Sequence, residues 1–180
     1  MLSLAWYDQA EAWSMIDPGR AVEPYQRAIE LAQSAGSSFV EGIALVGLAS
    51  LLGRSGAATI ALPRFRSIIR RWRRMGVWHH QWTTLRNLVQ LFVRERCWES
   101  AAVLLSAIDA DTSAAPAFGA DAELMQAARK RLEDALGRSR WLVARDRGAA
   151  MSRDETVVFA CEAIGQAMVS GLPPSGDRER

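Results

Sequence analysis

The chain has 180 residues, of which 49% are hydrophobic, and its formal net charge at pH 7 is +2. This length and apolar content are enough for one hydrophobic core, and they exclude an intrinsically disordered or fibrous chain. The sequence contains no run of about 18 apolar residues, so we expect no transmembrane helix.

Two features of the sequence favour a cytoplasmic protein without membrane association. Cys97 and Cys161 form no CxxC pair and no small disulfide framework, so we expect free thiols in a reducing compartment. The segment from Met1 to Trp13 has no basic leader, no sustained apolar run and no cleavage site of a secretory signal.

The apolar pattern predicts three pairs of helices in chain order over residues 1–110, with repeats at about 2–36, 39–75 and 79–110. The first pair covers 2–15 and about 20–35, and the second covers 39–53 and about 57–75. Pro63 falls inside the last of these helices, and because proline is best tolerated in a first turn, we expect that helix to begin close to it. Glycines at 36, 53, 56 and 76 mark the predicted turns.

Beyond the third pair, a segment rich in Ala, Ser, Thr and Pro predicts a linker over 111–118. A helical cap is expected over 119–170, with helices at about 119–136 and 139–148. Its last helix begins with a capping-box pattern of Ser152 and Glu155. The tail over 171–180 contains prolines and glycines, and we expect it to be disordered.

Small, large and medium residues recur at helical spacing with a period of about forty residues. The three triplets are Ala21, Tyr25 and Ala28, then Ala61, Phe65 and Ile68, then Ala101, Leu105 and Ile108. Self-similarity at such a period is typical of stacked helical units that bury a shared core. We therefore predict an all-α solenoid.

The buried positions resemble the tetratricopeptide pattern, in which a first helix carries large, Leu, small and aromatic residues and the second carries Ala and Phe. The second repeat reproduces it with Leu45, Leu48, Ala49, Leu52, Ala61, Phe65 and Ile68. The repeats are longer than the usual length of about 34 residues. The resemblance implies a tetratricopeptide-like right-handed helical solenoid of about three helix pairs with a C-terminal helical cap.

Three literal strings resemble the C-terminal repeat region of large actinobacterial ATPase regulators, of LuxR type or with adenylate-cyclase parts. They are AIELAQSAGSSFVEGIALVGLASL at 28–51, WTTLRNLV at 82–89, and a segment over 118–163. The Walker A loop, a cyclase domain and a helix-turn-helix are missing from the sequence. The resemblance therefore implies only the sensor or interaction region, and we expect this chain to be a truncated C-terminal piece of such a regulator.

In tetratricopeptide-like stacks the first helices line a concave groove, which implies binding of a peptide or protein partner there. The residues expected to face this groove are Arg54, Thr83, Arg86, Asn87, Gln90 and Arg94. Arginine recognises carboxylates with two hydrogen bonds, so the partner peptide is expected to be acidic. Alternatively, these arginines are solvated or form intramolecular salt bridges.

Six arginines and no acidic residue lie at positions 64, 66, 70, 71, 73 and 74. Such a helix suits phosphate contacts, and Arg66, Arg70 and Arg73 are the candidate nucleic-acid contacts of a DNA-binding transcriptional regulator. Alternatively, these arginines are the exposed side chains of an ordinary helix, since they are distributed around the helix and do not form one stripe.

The remaining unusual residues predict no catalytic, cofactor or metal site. Trp72, Trp78, Trp82 and Trp98 suit packing between helices. His79 and His80 diverge on a helix and have no nearby ligand cluster, so no zinc site is expected.

Cys97 has no histidine relay and is expected to be an apolar residue at a turn. We therefore predict a non-catalytic protein-interaction or sensor module. The exposed N-terminal repeat edge favours a homodimer. The alternative to a working module is a remnant of a split regulator gene.

Overall fold

The computed structural model describes residues 2–170, and these residues fold into eight helices with no strand. The protein is therefore all-α. The predicted disordered tail at 171–180 lies outside the described residues. The helices are α1 (Leu2–Ile16), α2 (Pro18–Ser34), α3 (Ser38–Arg54), α4 (Ala58–Met75), α5 (Trp78–Arg94), α6 (Trp98–Ala110), α7 (Ala120–Ala149) and α8 (Arg153–Val169).

Five successive helices begin at intervals of twenty residues, at Pro18, Ser38, Ala58, Trp78 and Trp98. Two such intervals make up the forty-residue period of the sequence. The period therefore corresponds to a pair of helices joined by short turns of two or three residues.

The same turn ends α2, α3, α4 and α5. Its left-handed residue lies at positions 36, 56, 76 and 96, with φ values of 64°, 82°, 68° and 59°. In each turn two backbone amides bond back into the preceding helix, as in Gly36 N to Gln33 O (3.1 Å) and Ser37 N to Ala32 O (2.8 Å). This pattern is the Schellman motif, which satisfies carbonyl groups that the helix end leaves without a partner.

Helix α4 matches the predicted bounds of about 57–75, but the expectation that it begins close to Pro63 is wrong. The helix begins at Ala58, five residues before Pro63, because the turn at Gly56 fixes where the next helix starts. Ala57 already accepts the amides of Ile60 and Ala61, both at 3.0 Å. Pro63 lies in the second turn, where its ring leaves one carbonyl unbonded without ending the helix.

The chain divides into two compact units, Met1–Arg71 and Trp72–Arg180, and the division falls within α4. This boundary does not coincide with the predicted one between repeats and cap at residue 110. In unit 2, the helices on both sides of residue 110 pack together, since α6 contacts α5, α7 and α8.

In unit 1, α2 packs against both α1 and α3, and small residues permit the close contacts. Tyr25 is buried among Ala10, Ala21 and Ala44, and its hydroxyl donates to the Glu11 carboxylate at 2.6 Å. A Cβ atom at Gly47 would lie 2.4 Å from the Tyr25 ring. The tyrosine ring therefore fills the space that this glycine leaves on α3.

In unit 2, α7 packs along α6 and is interrupted at Gly137, whose φ of 69° and ψ of 163° are not helical. The two helices predicted on either side of residue 137 are thus present. The second piece of α7 lies close to α6 at Gly148, where a Cβ atom would lie 2.2 Å from the Val103 carbonyl oxygen. Within residues 2–170, no helix is long and apolar enough to cross a membrane.

We predict that Gly148→Ala lowers the free energy of unfolding by about 2 kcal/mol, because the added methyl forces α6 and α7 apart. Gly165→Ala is the matched control, since a Cβ atom on this helical glycine meets no atom within 4 Å. It should be neutral or stabilising by up to about 1 kcal/mol. Denaturant unfolding, followed by circular dichroism, measures the free energy of unfolding of both variants. Equal effects of the two substitutions would contradict the close approach of α6 and α7 at Gly148.

Arg96 occupies the left-handed position that glycine holds in the three equivalent turns, and its side chain makes that backbone conformation costly. We predict that Arg96→Gly raises the free energy of unfolding by about 1 kcal/mol. Gly76→Ala should lower it by a similar amount. Thermal unfolding of the two variants is the measurement, and a destabilised Arg96→Gly protein would show that the arginine side chain outweighs the backbone cost.

Candidate functional site

Helix α5 is buried on nearly all sides and leaves one polar stripe partly accessible. Among residues 81–93, the positions that are not buried are 83, 86, 87 and 90, and Arg94 continues them as an exposed residue. Their spacing of three or four residues places them on one face of the helix. We call Thr83, Arg86, Asn87, Gln90 and Arg94 the α5 stripe.

Five of the six residues predicted to bind a partner therefore share one surface. Arg54, the sixth, is the last residue of α3 and lies in unit 1, where it is exposed. The prediction of partner binding by these residues stays a prediction, and the structure adds what two of them contact.

The chain itself supplies a peptide to the α5 stripe. The segment 111–118 between α6 and α7 has no helical structure, and the Arg86 guanidinium donates a hydrogen bond to the Ala115 carbonyl oxygen. Gln90 Nε2 donates to the carbonyl oxygen of Leu124 at 3.0 Å. Both bonds go to the backbone, so the stripe holds this part of the chain by groups that every peptide possesses. We call 111–118 the crossing segment.

The first residue of the crossing segment is anchored by charge. Asp111 Oδ2 accepts from Arg153 Nε at 3.0 Å, and Asp111 Oδ1 accepts from the Ser113 backbone amide at 2.7 Å. Burial raises the pKa of the Asp111 carboxyl, but the hydrogen bonds from Ser113 and Arg153 outweigh it and hold that pKa below its usual value. The ionised carboxylate is thus the form that the fold prefers.

Arg86 is partly buried, and its surroundings include two acidic residues. Burial lowers the pKa of its guanidinium, while the carboxylates of Asp121 and Asp109 act in the opposite direction. An arginine side chain nevertheless keeps its charge in proteins. A half-buried charged donor is costly without an acceptor, and the carbonyl of Ala115 provides one.

Asn87 lies in the middle of the α5 stripe and is only half-buried. Its carboxamide has a donor and an acceptor, which match the carbonyl and amide groups of a peptide backbone. Next to it, Thr83 makes a long hydrogen bond of 3.4 Å to the carbonyl oxygen of His79.

Sequence reasoning did not foresee that the crossing segment would reach the α5 stripe. The small side chains of the segment, Ala114, Ala115 and Ala117, are the signal that was present, because they allow its backbone to lie close to a helix. All three are partly buried in the structure.

The arginines of α4 are divided among several structural contacts. In unit 1, Arg71 forms an ion pair with Glu41, whose carboxylate also accepts from Gln33 at 2.9 Å. Arg66 has a buried Nε atom without a partner among the described residues, and Arg70 is exposed.

In unit 2, Arg73 pairs with Asp154 at 2.8 Å. Of the three candidate nucleic-acid contacts, one is therefore ion-paired and one is partly buried.

The tryptophans of unit 2 serve packing, as predicted for Trp72 and Trp82, which are buried. Trp72 Nε1 donates to Thr84 Oγ1 at 3.0 Å, and the Trp72 ring stacks on His80 with ring centroids 5.2 Å apart. Trp78 and Trp98 are half-buried, and each lies under an arginine guanidinium at 5.8 Å from the ring centroid.

Cys97 and Cys161 form no disulfide in the structure. Burial, with a smaller effect of Glu95, raises the pKa of the Cys97 thiol, so its nucleophilic thiolate is disfavoured. Among residues 2–170, no group of three or more His, Cys, Asp or Glu side chains is placed to hold a metal ion.

Comparison with known proteins gives no relative: no family model, no curated protein and no solved structure matches this chain. The site is accordingly interpreted from its own geometry.

We predict that Asp111→Asn loosens the crossing segment at pH 7 and increases hydrogen–deuterium exchange at residues 112–118 about five-fold. A five-fold increase in exchange corresponds to a loss of about 1 kcal/mol in the free energy of opening this segment. The loss is modest because Arg153 is half-exposed, so solvent partly screens its ion pair with Asp111. Asp111 has a lowered pKa, so its contribution is present above the usual value of 3.8 and is lost as the pH falls through the pKa in the folded protein.

The difference between the wild-type chain and Asp111→Asn, compared at equal pH, should therefore disappear in acid. Asp134→Asn, on the exposed side of α7, is the control and should leave the segment unchanged. A difference that persists at acid pH would show that the carboxylate charge does not hold the segment.

Proposed function

We propose that this protein is a non-catalytic interaction module that binds an extended segment of a protein partner along the α5 stripe. The observation that carries the proposal is the hydrogen bond from Arg86 to the carbonyl oxygen of Ala115. The stripe already holds one non-helical segment through a backbone carbonyl, and a partner peptide offers the same group.

The charges near the site favour a partner of acidic or neutral character. Arg86 and Arg94 lie on the stripe, and Arg153 lies beside the first residue of the crossing segment. A partner carboxylate that replaces Asp111 would meet Arg153, whose guanidinium already binds one. Charge-assisted hydrogen bonds of this kind are shorter and stronger than neutral ones.

We further propose that the helices form a tetratricopeptide-like right-handed solenoid of about three helix pairs with a helical cap. The twenty-residue spacing of helix starts and the repeated Schellman turns support this arrangement. By its resemblance to the repeat region of LuxR-type ATPase regulators, the module would act as a sensor or docking region in transcriptional control. The lack of a disulfide between its two cysteines agrees with the cytoplasm as its location.

A photo-crosslinking amino acid at position 87 tests the proposed surface in the cells that produce the protein. We expect it to capture a defined protein partner, while the same group at Ala127, an exposed position on α7, captures none above background. Mass spectrometry of the crosslinked peptide identifies the segment that was bound.

A variant that releases the crossing segment from the α5 stripe tests whether the partner binds at the same place as the segment. In the Asp111→Ala background, capture at position 87 should increase several-fold, because the partner no longer competes with the chain's own peptide. Gln90→Ala should reduce it. Equal capture at positions 87 and 127, or capture that is insensitive to Asp111→Ala, would contradict the proposal.

A further inference from the structure

The turn at the start of the crossing segment uses both oxygens of the Asp111 carboxylate. Asp111 Oδ1 accepts from the backbone amide of Ser113 at 2.7 Å and from the Ser113 hydroxyl, while Oδ2 accepts from Arg153 Nε at 3.0 Å. The carbonyl oxygen of Asp111 also accepts from the Ala114 amide at 3.0 Å. One aspartate therefore closes a turn over residues 111–114 and forms the ion pair with α8.

This arrangement favours aspartate over the related side chains. Its carboxylate bonds to the amide two residues further on, which is the geometry of an Asx turn. A glutamate places its carboxylate one bond further from the backbone, so the turn and the ion pair no longer fit together. An asparagine has one acceptor oxygen, so its amide nitrogen would face a donor of either Ser113 or Arg153. The Asp111 side chain is only 15% exposed, which makes such a mismatch costly.

The arginine that binds this carboxylate is held in place by its surroundings in unit 2. The Arg153 guanidinium lies 5.8 Å from the centroid of the Trp78 ring, within the range of a cation–π contact. The next residue, Asp154, pairs with Arg73 at 2.8 Å, and a capping box begins the helix. These contacts fix the first turn of α8, so the guanidinium is positioned independently of the carboxylate that it binds.

The second anchor lies four residues after Asp111, where the Ala115 carbonyl oxygen accepts from Arg86. Pro116 follows, and a proline disfavours the helical conformation of the residue before it. The carbonyl of Ala115 is thereby kept free for Arg86. Ala114 and Ala115 are both partly buried, so little room remains for larger side chains. The two arginines are thus matched to a carboxylate and to a backbone carbonyl four residues later.

Sequence preference at this site comes from the turn and from the spacing of its two anchors. The α5 stripe binds backbone groups, which every peptide possesses. The Asx turn, the ion pair with Arg153 and the proline after Ala115 depend on particular side chains. Thr112, between the residues of the turn, is exposed, so its position tolerates any residue.

We propose that the partner segment carries an Asp-x-Ser-small-small-Pro motif, the sequence type of residues 111–116, with threonine as the equivalent of serine. This inference rests on the proposed function, because it takes the chain's own segment as the template of the partner peptide. The partner aspartate would bind Arg153 and close its own turn, and the carbonyl of the fifth motif residue would bind Arg86. The partner thus replaces each contact that the crossing segment makes with these two arginines.

Peptide binding tests the motif. The receptor is the full-length chain with residues 111–118 replaced by a glycine–serine linker of equal length, and the probe is a fluorescent peptide of residues 108–119, read by anisotropy. Asp111→Glu in the peptide should weaken binding about ten-fold, because a charge-assisted hydrogen bond is lost. Pro116→Ala should weaken it about three-fold, since the free peptide then samples more conformations. The Thr112→Ala peptide is the control and should bind like the wild type.

A change in the receptor shows which group recognises the aspartate. With Arg153→Gln, the difference between the wild-type and Asp111→Glu peptides should fall to about two-fold or less, because the two sites are coupled through one contact. Equal binding of the wild-type, Asp111→Glu and Pro116→Ala peptides to the unchanged receptor would overturn the motif and leave the proposed function standing. No binding of the wild-type peptide would overturn the proposed function and the motif with it.

A measurement on the intact chain tests the same preference without the linker. Asp111→Glu keeps the charge, yet it should increase hydrogen–deuterium exchange at residues 112–118 several-fold, because the turn and the ion pair no longer form together. Thr112→Ala should leave the exchange unchanged. Equal exchange in the wild-type and Asp111→Glu chains would show that the site does not require aspartate, and it would overturn the motif.

Discussion

The hydrogen bond from the Arg86 guanidinium to the Ala115 carbonyl oxygen determines how the crossing segment meets α5. A half-buried guanidinium needs acceptors, and the Ala115 carbonyl provides one without burying a further charge. The segment is not helical where it passes α5, and its Ala115 carbonyl accepts from Arg86. The same requirement makes the stripe a surface that recognises peptide backbone irrespective of side chain.

The helices within each unit are fixed by local rules. Each Schellman turn ends one helix, and the next helix starts two residues after the left-handed residue of the turn. The start of α5 is therefore set by the turn that ends α4. Close packing then depends on positions without a side chain, as at Gly148 against the backbone of α6 and at Gly47 against the Tyr25 ring. These contacts are tight enough that one methyl group disturbs them.

Much of the helical architecture was predictable, because it depends on short-range signals. Glycines at 36, 56 and 76 and the apolar stripes between them give the helix bounds to within a few residues, and Ser152 with Glu155 forms the capping box that the sequence predicted. The bounds of α4 were also predicted, and only the expectation of a start close to Pro63 was wrong, since the preceding turn, and not the proline, sets the start of that helix. The turn at Arg96 has the same geometry as the glycine turns without their residue, so its left-handed backbone had no sequence signal.

The candidate site was predictable only in part, for a physical reason. Helical spacing places Thr83, Arg86, Asn87, Gln90 and Arg94 on one face, and that is a local property. What contacts this face depends on the path of a non-helical segment 29 residues further along the chain from Arg86. No periodicity describes such a path, and the electrostatic anchor between Asp111 and Arg153 joins residues 42 positions apart.

The most direct measurement of peptide binding by the α5 stripe uses the crossing segment as a probe. A fluorescent peptide with the sequence of residues 108–119 would be titrated against a full-length chain in which residues 112–118 are replaced by a glycine–serine linker of equal length, with anisotropy as the readout. The proposed function predicts saturable binding that is lost in Arg86→Gln and kept in Arg131→Gln, a change on the exposed side of α7. Absence of binding, or binding that does not depend on Arg86, would contradict it.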